Sequence, residues 1–151
     1  MPLARAAREM SGLEFLGKIV RGELPRPPIG QLLDFAPTEV GEGWAVFEVE
    51  PGEKHYNPIG VVHGGLLATL LDSAMACAVH SLLPAGTGYT TVELHVNLVR
   101  AVGADTGRLR AEAETVHQGS RVATAQGRVV DAKGRLYAHG STTCLILAPE
   151  R

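Results

Sequence analysis

Residues 63–83, HGGLLATLLDSAMACAVHSLL, make the segment that most limits how this chain can fold. Wound at 3.6 residues per turn, Leu66, Leu67, Leu70, Leu71, Met75 and Val79 do not keep to one stripe; they cover most of the circumference. A helix apolar all round must be enclosed. A bilayer is a poor enclosure here. A span needs roughly 20 apolar residues, and this segment carries His63, Gly64-Gly65, Asp72 and His80. An acid near a bilayer centre costs about 2.5 kcal/mol or more. The enclosure has to come from the protein, and no membrane partner is expected.

The rest of the chain reads as strands that can supply it. Residues 29–36 and 43–50 are expected to be two strands joined by a turn, with PGEKHYNP (51–58) a proline-bounded loop. After the helix, LPAGTG (83–88) is a stop signal. Four strand-like runs follow. In TVELHVNLV, Val92, Leu94, Val96 and Leu98 alternate with Glu93, His95 and Asn97, the period of a half-buried strand. RLRAEAETVH (108–117) alternates in the same way, and RVATAQGRVV (121–130) and RLYAHGSTTCLIL (135–147) complete the set, with DAKG (131–134) as a hairpin turn. Short connections make antiparallel neighbours. The expected class is α+β, one antiparallel sheet curved around one long helix. At 151 residues there is room for one such domain. We assign it to residues 29–151. Residues 1–28 form an N-terminal helical segment, amphipathic through Leu13, Leu16, Ile19 and Val20 and broken by PRPP (25–28).

A net charge of −2 with scattered basic residues argues against a nucleic-acid partner. Cys77 and Cys144 sit in apolar runs and read as free buried thiols, which fits a reducing cytoplasm; the N-terminus has no apolar run of signal-peptide length. No Cys/His spacing fits a zinc site, and no metal is expected.

Asp72 is the odd residue of the helix. Its helical neighbours Ala68, Thr69, Ser73 and Ala76 are small enough to admit a ligand or another backbone. A buried carboxylate without a partner is costly, so it is paired with an Arg, placed at an interface rim, or kept for chemistry. The helix start favours chemistry. Gly64 and Gly65 expose N–H groups at the positive end of the helix dipole, where an oxyanion is stabilised and a ligand can approach the backbone closely. His63 and Asp72 are nine residues apart, about 13.5 Å along the axis. One helix therefore cannot bring both groups to one carbonyl. Two helices antiparallel across a twofold axis can, giving two equivalent sites per dimer.

NPIGVVHGGLLATLLD closely resembles the signature of hotdog-fold acyl-CoA thioesterases of the phenylacetic acid degradation (PaaI-like) type: Asn57, Gly60, His63-Gly64-Gly65, then an acid nine residues after the His. TTVELHVNLVRAV (90–102) and GRLYAHGSTTCLIL are similar to later strands of that family, so the likeness covers roughly residues 10–148. The resemblance implies a hotdog fold, dimers that often pair into tetramers, and hydrolysis of a thioester between an acyl group and coenzyme A, which is part of the substrate; no separate cofactor is implied. Residue by residue, it implies Asp72 as the catalytic carboxylate, either general base or nucleophile. It implies the Gly64 N–H as the group polarising the carbonyl, Asn57 as a positioner of substrate or water, and His63 as the residue orienting the loop or the thioester. Thr91 is the matching hydroxyl beside the acid, with Thr90 the alternative. Gly65 and Arg121 are the remaining candidate substrate contacts, Arg121 toward the CoA phosphates. The sequence departs from many relatives at Ala101, which follows Arg100 where they have Pro, and at Gly119-Ser120-Arg121, where they carry two basic residues after the Gly.

Other chemistries lack their residues. There is no GxSxG elbow and no Walker-type loop. Cys77 in mid-helix is a poor nucleophile. A hotdog hydratase would need a His five residues after Asp72, where Cys77 stands. His80 and His95 read as structural or exposed. The alternative of a different class is a non-catalytic acyl-CoA binder or sensor on the same scaffold. The sequence does not select the acyl group.

Overall fold

The computed structural model describes residues 2–148; Met1 and residues 149–151, the extreme ends of the two segments assigned from sequence, lie outside the described residues. The helices are α1 (Pro2–Glu9), α2 (Gly12–Val20), α3 (Pro28–Leu32) and α4 (Gly64–His80). The strands are β1 (Phe35–Gly41), β2 (Trp44–Val49), β3 (Gly88–Leu98), β4 (Leu109–Gln118), β5 (Val122–Asp131) and β6 (Leu136–Leu147). All pairings are antiparallel, in the order β1-β2-β4-β5-β6-β3. The β2-to-β3 connection carries α4 across the inner face and sends β3 to the far edge.

The helix is enclosed as its composition demands. Leu70, Leu71, Ala74, Met75, Ala78 and Val79 have no exposure. Against them lie Ala45, Phe47 and Val49 of β2, Leu109 and Ala111 of β4, Ala123, Ala125 and Val129 of β5, and Ala138 and Cys144 of β6. The many alanines let the sheet approach the large helix side chains. At Gly127 a methyl would press on both helix and sheet, since a Cβ there would lie 3.1 Å from Met75 Cγ and 3.2 Å from Glu112 O. The helix ends where the Ser81 N–H donates to Cys77 O and the Leu82 N–H to Val79 O, ahead of Pro84. It thus ends three residues before the apolar run does.

Two expectations are corrected. The expected strand over 29–36 is a short helix, α3, followed by β1 from Phe35. Pro28 starts α3 because proline is preorganised for the first helical turn and lacks an N–H that would go unused there. Asp34, at φ 59°, then turns the chain into β1 and pairs with Lys54 at 2.9 Å. The N-terminal segment is two helices rather than one. Ser11 separates them and caps α2, its Oγ accepting from the Glu14 N–H at 3.3 Å. Phe15, Leu16 and Ile19 of α2 are buried in a second cluster that also holds Cys77 of α4. The Gly12 N–H donates to Leu83 O at 3.0 Å, and a Cβ at Gly12 would fall on the His80 carbonyl, so only glycine fits.

His80 is buried between the rings of Phe15 and Tyr89, with centroids 5.7 and 4.8 Å away. Burial pushes its pKa from 6.5 down to about 4. An unfolded chain takes up this proton below about pH 6.5, whereas the folded one resists until about pH 4. Stability therefore falls as pH drops through that window. Urea unfolding across it is expected to show a stability loss in the wild type that is absent from His80→Phe. Parallel profiles for the two proteins would contradict this account.

Candidate functional site

Asp72 sits at the middle of α4, half-buried, and accepts a hydrogen bond from Thr91 Oγ1 of β3 on Oδ1 at 2.8 Å. The ion pairs of the described residues lie elsewhere, so neither an arginine nor a lysine neutralises the acid. Its second oxygen has no protein donor among the described residues, which leaves it open to a water or a carbonyl carbon.

The strand is built to present Thr91. Its pairing with β6 shifts between Thr91 and Glu93, so Val92 is an extra, bulged residue. Thr91 stands opposite Cys144, an inward residue, and beyond the bulge Leu94 stands opposite the buried Thr142. The bulge thereby puts an odd-numbered residue on the same face as Leu94, Val96 and Leu98. Thr90, opposite Leu145, lies exposed on the other face. The structure brings Thr91 to the acid and turns Thr90 away from it.

The helix start is held firmly. His63 is the N-cap of α4, and its Nδ1 accepts the Gly65 N–H at 2.8 Å. Its own N–H donates to His55 O at 2.8 Å, and His55 is a buried structural histidine bonded to the Gly52 N–H and Leu33 O. The Gly65 amide is therefore occupied, contrary to its expected role as an open donor. The Gly64 N–H has no acceptor among the described residues and opens onto a cleft of about 260 Å³ lined by Leu98, Val99 and Arg100. Asn57 Oδ1 accepts from the N–H groups of Ile59 and Val61 at 3.1 and 3.3 Å, shaping the turn that leads to His63. Its Nδ2 is left as the free donor. Arg121 is exposed at the β4–β5 turn, without an ion-pair partner among the described residues; its carbonyl accepts from the Ile146 N–H at 2.8 Å, next to β3.

Gly64 and Asp72 are eight residues apart on one straight helix, about 12 Å along its axis. In a single chain the open amide and the acid do not meet. The thiols are poor nucleophiles: burial pushes Cys77 up to about 12 and raises Cys144 as well. Among the described residues no group of His, Cys, Asp and Glu is gathered as a metal site, and no helix is long and apolar enough to cross a membrane. Tyr89 was not singled out from the sequence. It lies on the inner face of β3 two residues before Thr91, a parity that could have marked it.

The sequence profile of the Thioesterase superfamily matches residues 59–138. The chain is 33% identical to acyl-coenzyme A thioesterase 13 of Homo sapiens over 103 residues, 67% of this chain and 71% of that protein. It is 32% identical to 1,4-dihydroxy-2-naphthoyl-CoA hydrolase of Escherichia coli over 90 residues, 60% of this chain and 65% of that protein, just under two thirds of its length. A variant of the phenylacetic acid degradation protein PaaI from Thermus thermophilus superposes with a TM-score of 0.71 at 30% identity, covering 79% of this chain and 98% of that one. The profile match spans the helix start, the acid, the bulged strand β3 and strands β4 and β5, and the chain belongs to the thioesterase superfamily as a hotdog-fold, PaaI-like thioester hydrolase.

Proposed function

We propose that the protein hydrolyses acyl-CoA thioesters, small aromatic or short to medium in their acyl group, at two equivalent sites shared between two copies of the chain. The observation that carries this reading is the Thr91 hydroxyl donated to Asp72 at 2.8 Å, midway along an otherwise apolar helix. That bond fixes one carboxylate oxygen and aims the other. Asp72 Oδ2 takes a proton from water; the hydroxide adds to the thioester carbonyl carbon. The Gly64 N–H of the second copy stabilises the oxyanion. Collapse breaks the C–S bond, and the proton held by Asp72 goes to the departing thiolate. Direct attack by Asp72 to give a mixed anhydride uses the same groups, and we favour the base. Asn57 positions substrate or water through Nδ2, His63 orients the helix start, and Arg121 meets the CoA phosphates.

Support for pairing comes from β3. It is the edge of the sheet, eleven residues long, and exposes Val92, Leu94 and Leu98, with the exposed Val99 just after it. A long apolar edge is a template for a second copy. Twofold pairing there runs the two α4 helices antiparallel, each Gly64 toward the other chain's Asp72. Dimers of this kind can pair again into tetramers. The free cysteines fit a cytoplasmic setting.

The test is thiol release from a panel of aryl-acyl and straight-chain acyl-CoAs. Turnover of at least one class is expected. Tight binding of the esters without turnover of any would replace hydrolysis by the binder or sensor reading.

A further inference from the structure

Beside the proposed site lies a recess of about 560 Å³ that no step of hydrolysis uses. Its walls are His80, Thr87, Tyr89 and Leu147, and α1 roofs it through Ala7 and Arg8. One line of α4 joins it to the acid. Asp72, Ala76 and His80 follow one another at intervals of four along α4, so they form one stripe of the helix. Both ends of that stripe meet β3: Asp72 bonds Thr91, and His80 stacks on Tyr89. Between them the helix offers only the small Ala76 and Cys77. The stripe runs about 12 Å from the acid to His80. The Tyr89 ring stands across its far end, packed on the His80 ring with its hydroxyl beside the Cys77 thiol.

We propose that Tyr89 is the stop for the acyl chain: an acyl group whose thioester carbonyl is held at Asp72 lies along the Ala76–Cys77 stripe, ends against the Tyr89 ring, and is barred from the recess behind it. The inference rests on the acyl-CoA reading above and names what that reading leaves open, the length of the acyl group. Tyr89 sets an upper limit, and the recess under α1 is the space a longer chain would enter if the ring were removed. The walls suit an alkyl chain. His80 is neutral at ordinary pH because burial lowers its pKa to about 4, and burial likewise keeps the Tyr89 phenol protonated. Arg8 is exposed at the rim, where it can stay in water.

The experiment compares kcat/KM over straight-chain acyl-CoAs from acetyl to palmitoyl for the wild type, Tyr89→Ala and Tyr89→Val. The valine version is included because a β-branched residue suits a strand if alanine fails to fold. The long-to-short ratio is expected to rise on the order of tenfold or more, the size of effect that a few methylenes gain in an apolar pocket. Ala7→Phe, which fills the recess from its roof, is expected to reverse the gain in the Tyr89→Ala background and to change little in the wild type. Binding of non-hydrolysable S-alkyl-CoA thioethers of the same lengths provides a second readout. Normal turnover with an unchanged length profile in the folded variants would overturn the stop and leave hydrolysis standing. Absent turnover, with thioether affinity still shifted toward long chains in Tyr89→Ala, would overturn hydrolysis and retain the stop. A gain that Ala7→Phe fails to reverse would also overturn it.

Discussion

Asp72→Asn is expected to lower the rate of thioester hydrolysis on the order of a thousandfold while the protein stays folded, as checked by thermal unfolding and size-exclusion elution. Asparagine has the shape of aspartate, and its carbonyl oxygen can still accept the Thr91 hydroxyl at 2.8 Å. What it lacks is basicity and nucleophilicity, and removing a positioned general base costs typically 10²–10⁴-fold. The fold has little stake in the charge, because Asp72 is half-exposed in the chain and forms no ion pair among the described residues. Wild-type rates in a folded Asp72→Asn protein would refute a catalytic role for this residue in either of its two chemistries.

The second large effect comes from mixing two dead proteins. Gly64→Val places a side chain where a Cβ would already meet Leu98 Cδ1 and crowds the one open amide of the helix start. Alone, Gly64→Val and Asp72→Asn homodimers are each expected to be inactive. Refolded together in equal amounts, they are expected to recover about a quarter of wild-type activity. About half of the dimers are then mixed, and each mixed dimer carries one intact site, with Asp72 from one chain and Gly64 from the other. Verified mixed dimers without activity would place all the reacting groups on one chain. That outcome would leave unexplained the 12 Å or so of helix between the acid and the amide.

The features that follow from hydrophobic patterning were legible in the sequence: the enclosed helix, the four later strands, the hairpin at residues 131–134 and the acid's place in mid-helix. What escaped the pattern was set by local hydrogen bonding and steric detail. The 29–36 run is apolar enough for a strand, but Pro28 nucleates a helical turn and Asp34 ends it. Simple alternation from Val92, Leu94 and Val96 would place Thr90, not Thr91, on the inner face; the bulge at Val92 reverses this, and no residue type announces a bulge. Family likeness pointed to Thr91, and the register supplies the reason. Gly65 had the chemistry of an open donor, yet the His63 side chain folds back to take its N–H. Tyr89 was not singled out from the sequence, and only its contacts with Cys77 and His80 put it beside a recess.

The open flank of β3 also bears on how the protein survives in solution. The backbone groups of the eleven-residue β3 that point away from β6, beside exposed Val92, Leu94, Leu98 and Val99, make a lone chain adhesive toward any strand it meets. In the proposed dimer a second copy covers that flank, which removes the adhesive edge and completes the site in one act. Solubility and activity then share a single cause, so a mutation that frees the edge makes the protein precipitate as well as stop working.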